Sequence, residues 1–306
     1  MNSMKSSSFH RLNADKGLGP AHRGMWFLLN WLNNNFFPNA CDRDLAVRDF
    51  AADVSDDNWR QTDVKSSPSR KLGDLFWLSL PWERIESELG RICILDAGCG
   101  SGNYALRLQS FSGNRIDSYA GVDVVEHKNW PALTEKHANL TFCRSDSADI
   151  LDRIPEDTNF FMSQSAIEHF EEDVRFFDNI REFIQRTSAN VLQVHLFPSA
   201  ACLRLYRGHG VRQYAPRPIS RITSLFKPFS YSVLFRLGGR RCNALHREFI
   251  TKPRAVGKAG DLRDTMTGEY DARLRQAIAA DNAEPHERPS FYALIVHSNC
   301  REMLFR

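Results

Sequence analysis

From residue 91 onward the chain alternates between short apolar runs and helical patterns, and few architectures accept that order. "RICILDAG", "SYAGVDVV", "NLTFCRSD", "NFFMSQS" and "ANVLQVHLF" read as strands. Between them, "NYALRLQSF" sets Tyr104, Leu108 and Phe111 on one helical face, and "WPALTEKH" forms a weaker helix. "EEDVRFFDNIREFIQRTS" brings Val174, Phe177, Ile180 and Ile184 into helical register. "ISRITSLFK", "YSVLFRLGG", "EYDARLRQAIAAD" and "SFYALIVHS" continue as helix, strand, helix, strand. Such alternation specifies an α/β, doubly wound, mostly parallel sheet.

Residues 91–306 are therefore expected to form one sheet domain, with a basic segment at 201–260, and residues 1–90 a helical extension. The extension starts with a polar string, "MNSMKSSSFHRLNADKG", expected to be loose. "RGMWFLLNWLNNNFF" then places Met25, Leu28, Leu29, Leu32 and Phe36 at helical spacing, as a helix covering the core or a pocket. Its polar face is asparagine rather than lysine, which disfavours a membrane-surface role. The seven cysteines are scattered without a CxxC pair, so neither a disulfide framework nor a zinc site is expected, and the compartment read is cytoplasmic. No apolar stretch approaches the ~20 residues of a membrane span, and no small-residue cleavage site follows Leu32.

The turn after the first strand, "ILDAGCGSG", places Gly98, Gly100 and Gly102 at alternate positions. In a parallel sheet, ligands sit beyond the carboxyl ends of the strands, so bare backbone there suits a bound molecule. Gly100, Gly102 and Ala105 satisfy the dinucleotide string G-x-G-x-x-G/A. However, the strand ends in Asp96, whose charge would face a diphosphate, and the phosphate loop GxxxxGK[ST] is absent. A ligand carrying an ammonium and no phosphate turns that acid from a liability into a partner.

These residues resemble the first motif of the class I S-adenosylmethionine-dependent methyltransferases, (D/E)-x-G-x-G-x-G, filled here by Asp96, Gly98, Gly100 and Gly102. "YAGVDVV" is similar to the second motif, which gives Asp123 to the ribose hydroxyls. "FCRSDSADI" is similar to the third, which gives Asp146 and the Ser147 amide to adenine. "NFFMSQSAIEHF" resembles the fourth-strand motif of the small-molecule, type 11-like branch. The resemblance covers roughly Arg91 to Phe197. It implies S-adenosyl-L-methionine as cofactor, with Cys99 and Ser163 completing the residues around it. It also implies a seven-stranded Rossmann-like sheet, Ser290 to Ser298 as its antiparallel last strand and Ser230 to Leu237 beside it.

The methyl acceptor is approached by elimination. The "(D/N)PP(Y/F)" tetrapeptide that grips planar amino groups is replaced by "SQSA", and Met162, Ser163 and Gln164 supply no acid, so no metal is expected. A hydroxyl acceptor needs a proton acceptor, and His169 just past the fourth strand suits the role. Glu168 is expected to orient a helix start, and His195, ending the fifth strand, to contact the acceptor. Segment 201–260 holds thirteen basic residues against Glu248 alone, so a net +12 there leaves −9 for the rest of a chain whose total is +3. Arginines outnumber lysines, favouring bidentate contact with phosphate or carboxylate. Arg207, Arg212 and Tyr214 are expected over the pocket mouth. O-methylation of an anionic small molecule or glycan is the reading. An RNA acceptor, with Tyr206 and Tyr214 stacking on bases, a non-catalytic scaffold and a dehydrogenase stand as alternatives.

Overall fold

The computed structural model describes residues 5–205, 208–255 and 260–305. Its strands are β1 (Ala46–Phe50), β2 (Cys93–Ala97), β3 (Ser118–Asp123), β4 (Leu140–Arg144), β5 (Phe160–Gln164), β6 (Val191–Pro198), β7 (Ser230–Leu237) and β8 (Phe291–Ser298). They form one sheet in the order β1-β7-β8-β6-β5-β2-β3-β4. All pairings are parallel except those of β8, which runs antiparallel between β6 and β7, as expected for these two segments. The helices are α1 (Pro20–Phe36), α2 (Asp56–Arg60), α3 (Pro68–Ser79), α4 (Trp82–Leu89), α5 (Tyr104–Phe111) and α6 (Trp130–Lys136), then α7 (Asp173–Thr187), α8 (Pro216–Thr223), α9 (Arg240–His246), α10 (Lys252–Ala255) and α11 (Thr267–Asn282).

Strand periodicity sorts the core into two layers. Ile94 and Phe160 pack with Leu72 of α3, Leu108 of α5, Leu245 of α9 and Leu274 of α11. Their neighbours Leu95 and Phe161 face the opposite side, against Phe177 and Ile180 of α7 and Ile219 of α8. Every residue of β6 and β8 is buried, the pattern of strands covered on both faces.

The sheet has eight strands rather than seven. The additional β1 comes from the extension and lies at the edge, parallel to β7 with Ala46 opposite Val233. Only Phe50 of β1 is buried, so this edge strand carries no alternation that a sequence pattern would reveal. Its Asp49 instead receives the Arg236 guanidinium of β7 at 2.6 Å.

Helix α1 forms where its spacing predicts but turns its other face inward. Met25, Leu28 and Phe36 are 48, 50 and 58 % exposed, whereas Trp26, Asn30, Asn33 and Asn34 are buried. The asparagine amides donate to backbone carbonyls of Val211 (3.3 Å), Gln213 (2.9 Å) and Ser7 (3.4 Å). Buried backbone acceptors need donors, and here amide side chains supply them.

The polar start of the chain, from residue 5, is likewise tied to the domain by hydrogen bonds. The Ser7 amide donates to Asp173 at the start of α7 (2.8 Å), and the Ser6 hydroxyl accepts from Arg212 (2.9 Å). Among the described residues, no helix is long and apolar enough to cross a membrane.

Candidate functional site

Beyond the carboxyl ends of β2 to β5 lies a cleft of about 630 Å³, bordered by Gly98, Asp123, Asp146, Ser147, Ala166 and His169. Each acid ends or follows a strand. Asp123 Oδ2 accepts from the Gly100 amide (2.9 Å), and its Oδ1 from the Val125 amide (3.2 Å), which ties the glycine turn to β3. Asp146 is exposed and caps the turn Ser147–Asp149 by accepting from the Ala148 amide at 2.8 Å. Asp96 is buried; Tyr119 donates its hydroxyl to Oδ2, while Oδ1 has no hydrogen-bond partner among the described residues. Burial pushes the Asp96 carboxyl up to about 7, against the Tyr119 hydrogen bond and with help from the Asp123 charge.

The three glycines answer to different neighbours. A Cβ on Gly98 would lie 2.4 Å from the Ala166 Cβ, and one on Gly102 would lie 2.6 Å from the Phe142 ring. Those two make room for this chain's own side chains. Gly100 alone of the three faces open space, at φ +53. Its carbonyl accepts from Trp130 Nε1 at 2.9 Å, and the Trp130 ring stacks on Phe142.

Several expected site residues lie elsewhere. Cys99 is buried beneath the turn, its amide bonded to the Val122 carbonyl (3.1 Å), and burial pushes its thiol up. Ser163 and His195 do not reach the cleft, because strand alternation turns them inward, where Ser163 Oγ meets His195 Nδ1 at 2.8 Å. The His195 ring packs edge-on against Phe177, and burial pushes its imidazole down to about 3, so it is neutral.

Arg212 and Tyr214 are also buried rather than at the mouth. Arg212 donates to the Phe170 and Glu171 carbonyls (2.6 and 3.0 Å) and pairs with Asp173 at 3.2 Å. Tyr214 donates to Asp173 (2.8 Å). Together they brace the segment beneath the cleft. Arg207 and Tyr206 lie outside the described residues.

His169 is brought to the cleft, on the turn Ile167–His169. Its Nδ1 lies 2.6 Å from Asp15 Oδ2, and its ring meets His209 edge-on at 4.5 Å. Glu168 caps no helix start: its carboxylate is buried, neither oxygen has a hydrogen-bond partner among the described residues, and burial pushes it up to about 7. Asp15 and His209 were not singled out from sequence. They sit 154 and 40 positions from His169, and only the glycines flanking His209 hint at a special backbone there.

The basic segment is largely occupied. Lys227 pairs with Asp42 and Asp44, Arg236 with Asp49, Arg241 with Glu284, and Arg254 with Asp261. No Lys or Arg among the described residues borders the cleft. Instead Arg204, Arg240, Arg247, Lys252 and Arg288 border a second groove of about 670 Å³. It lies where β6 and β7 end and β8 begins, on the same rim of the sheet.

No family model matches the sequence, and no curated protein does. Solved structures are similar to it. The plantazolicin methyltransferase BamL aligns at TM-score 0.48 and 12% identity, over 79% of this chain and 89% of its own. The [4+2]-cyclase SpnF aligns at TM-score 0.47 and 13% identity, over 96% and 98%. A SAM-dependent methyltransferase from Archaeoglobus fulgidus aligns at TM-score 0.44 and 17% identity, over 77% and 96%.

Proposed function

We propose that the chain is an S-adenosylmethionine-dependent methyltransferase acting on a hydroxyl of a small-molecule or glycan-type acceptor that carries an anionic group. One observation carries the reading: acids end successive strands around the glycine turn, and no Lys or Arg among the described residues borders the cleft. A diphosphate would meet Asp123 and Asp146, which have no cationic partner among the described residues, whereas a phosphate-free nucleoside with an ammonium gains from the same two acids.

The residues fit that cofactor. Asp123 is positioned to accept from a vicinal diol, and Asp146 and Ser147 lie just past the end of β4 for a base edge. When bound, S-adenosylmethionine supplies an electrophilic methyl group.

This chain's own part is alignment and proton handling. The Asp15 carboxylate fixes the proton of His169 on Nδ1, which leaves the Nε2 lone pair as proton acceptor for the acceptor hydroxyl. The groove of Arg204, Arg247 and Arg288 supports an anionic group on the same acceptor, and those three have no carboxylate partner among the described residues. Burial of Tyr214 removes one of the two tyrosines that an RNA acceptor would use.

The test is single-turnover transfer of a labelled methyl group to hydroxylated acceptors with and without a phosphate or carboxylate. Transfer is expected, faster with the anionic set. Cofactor binding without transfer to any of them contradicts the reading in favour of a scaffold. His169→Ala is expected to slow transfer about a hundredfold or more at unchanged cofactor affinity.

A further inference from the structure

Glu168, His169 and His209 form a cluster that methyl transfer uses only in part. Nε2 of each imidazole lies 3.9 Å from Glu168 Oε1, and one ligand atom from each of the three residues lies within 4.8 Å of the others. Glu168 is 0% exposed, and neither of its oxygens has a hydrogen-bond partner among the described residues. A buried carboxylate without hydrogen bonds is costly, and native interiors seldom keep one without a reason.

The surroundings orient both rings toward that carboxylate. Asp15 Oδ2 lies 2.6 Å from His169 Nδ1, and Asp15 Oδ1 lies 4.0 Å from His209 Nδ1 while accepting from the Gly210 amide at 3.0 Å. One carboxylate thus faces Nδ1 of both imidazoles, and Nε2 of both faces Glu168. Ligating histidines characteristically hold a carboxylate on the nitrogen away from the metal.

The backbone is shaped for this contact as well. His209 lies between Gly208 at φ +73 and Gly210 at φ +71, and a Cβ on Gly210 would lie 2.7 Å from the Glu168 carbonyl oxygen. Ala14 and Trp26 both donate to the Gly210 carbonyl, at 2.9 and 3.2 Å, which pins the loop.

We propose that Glu168, His169 and His209 bind one divalent transition-metal ion of the Zn²⁺ or Fe²⁺ class, beside the cleft that His169 borders. Two imidazoles and one carboxylate suit these ions, whereas Mg²⁺ and Ca²⁺ take oxygen sets. Ligands about 2.0–2.1 Å from a tetrahedral ion stand roughly 3.3 Å apart, so the cluster would tighten modestly on binding. The inference does not depend on methyl transfer. His169 Nε2 is a ligand when the ion is present and a proton acceptor when it is absent, so the test reads binding alone.

Calorimetric titration of the chelator-stripped full chain with Zn²⁺ alone, and separately Mg²⁺ alone, provides the test. One equivalent of Zn²⁺ is expected, with no Mg²⁺ heat. Glu168→Gln and His209→Ala are each expected to weaken Zn²⁺ at least about tenfold, and Asp15→Asn by about tenfold. Metal-free Glu168→Gln is expected to melt no lower than wild type, since it removes a buried charge. A brace would behave oppositely, losing stability while Zn²⁺ affinity stays unchanged. Absence of Zn²⁺ binding, or binding that survives both Glu168→Gln and His209→Ala, overturns the proposal. Should Glu168→Gln fail to fold, His209→Ala, on a part-exposed loop, decides alone.

Discussion

Beside β2 to β5 the cleft is bordered by Asp123, Asp146, Asp149, Glu171 and Glu172, of which Asp149 and Glu172 pair with Arg175 and Glu171 with Lys16, and by no Lys or Arg among the described residues; beside β6 to β8 a second groove is bordered by Arg204, Arg240, Arg247, Lys252 and Arg288. The two halves share one sheet and one rim, yet the side chains bordering their clefts are of opposite charge. A total of +3 conceals this division. The basic run in the sequence overstates it, because Lys227, Arg236 and Arg241 neutralise acids of the extension and of the segment after α11. In the groove itself Arg240 pairs with Glu287, and Arg204, Arg247, Lys252 and Arg288 have no carboxylate partner among the described residues.

The comparison can be broken most sharply at Gly98. Gly98→Ala forces a side chain into φ +81 and into Ala166, at a cost of up to about 5 kcal/mol. Denaturant unfolding should show this loss, and a wild-type midpoint would mean that the acidic half is not braced there.

Next comes Asp96. Its carboxyl is raised in the folded chain, so the stability it contributes is present at low pH and is lost as pH rises through about 7. Asp96→Asn should therefore gain on wild type as pH rises from 4 to 8, by at most about 4 kcal/mol at 1.36 kcal/mol per pH unit. His195 and His246, held down to about 3 and about 4 by burial, act with the opposite sign. Comparing variant with wild type at each pH cancels them. A melting difference that does not change with pH would contradict the assigned burial of charge.

Smaller still, Asp123→Ala should weaken adenosylhomocysteine by about 2 kcal/mol, roughly thirtyfold, leaving anionic-acceptor KM unchanged. The smallest effect belongs to the basic half. Arg247→Glu with Arg288→Glu should raise KM for an anionic acceptor by about 1 kcal/mol, in a salt-dependent way, without altering cofactor affinity. Cross-effects between the two halves would show that the rim is not partitioned.

Much of the acidic half was legible because its signals are local. A strand, an acid and a glycine turn lie within nine residues from Ile94 to Gly102, and β3 and β4 repeat the strand-then-acid order at Asp123 and Asp146. The helix α7 was legible because Val174, Phe177, Ile180 and Ile184 all reach the core. Helix α1 was misread in its facing, since asparagines count as solvent-facing until a loop of bare carbonyls, here Val211 and Gln213, is laid over them.

The same non-local logic hid Arg212, Tyr214 and His195. Their type suggests a ligand, but Asp173, the Phe170 carbonyl and Ser163 had already taken their polar atoms. His209 lies near His169 only because Gly210 lets the loop rest on the Glu168 carbonyl, a contact no spacing rule contains.

The acidic half of the rim is proposed to hold a phosphate-free nucleoside bearing positive charge. Calorimetric titration of the wild-type chain with adenosylhomocysteine and, separately, with NADH tests it most directly. One equivalent of adenosylhomocysteine with no NADH heat is the predicted result. Tight binding of NADH with indifference to adenosylhomocysteine would contradict it.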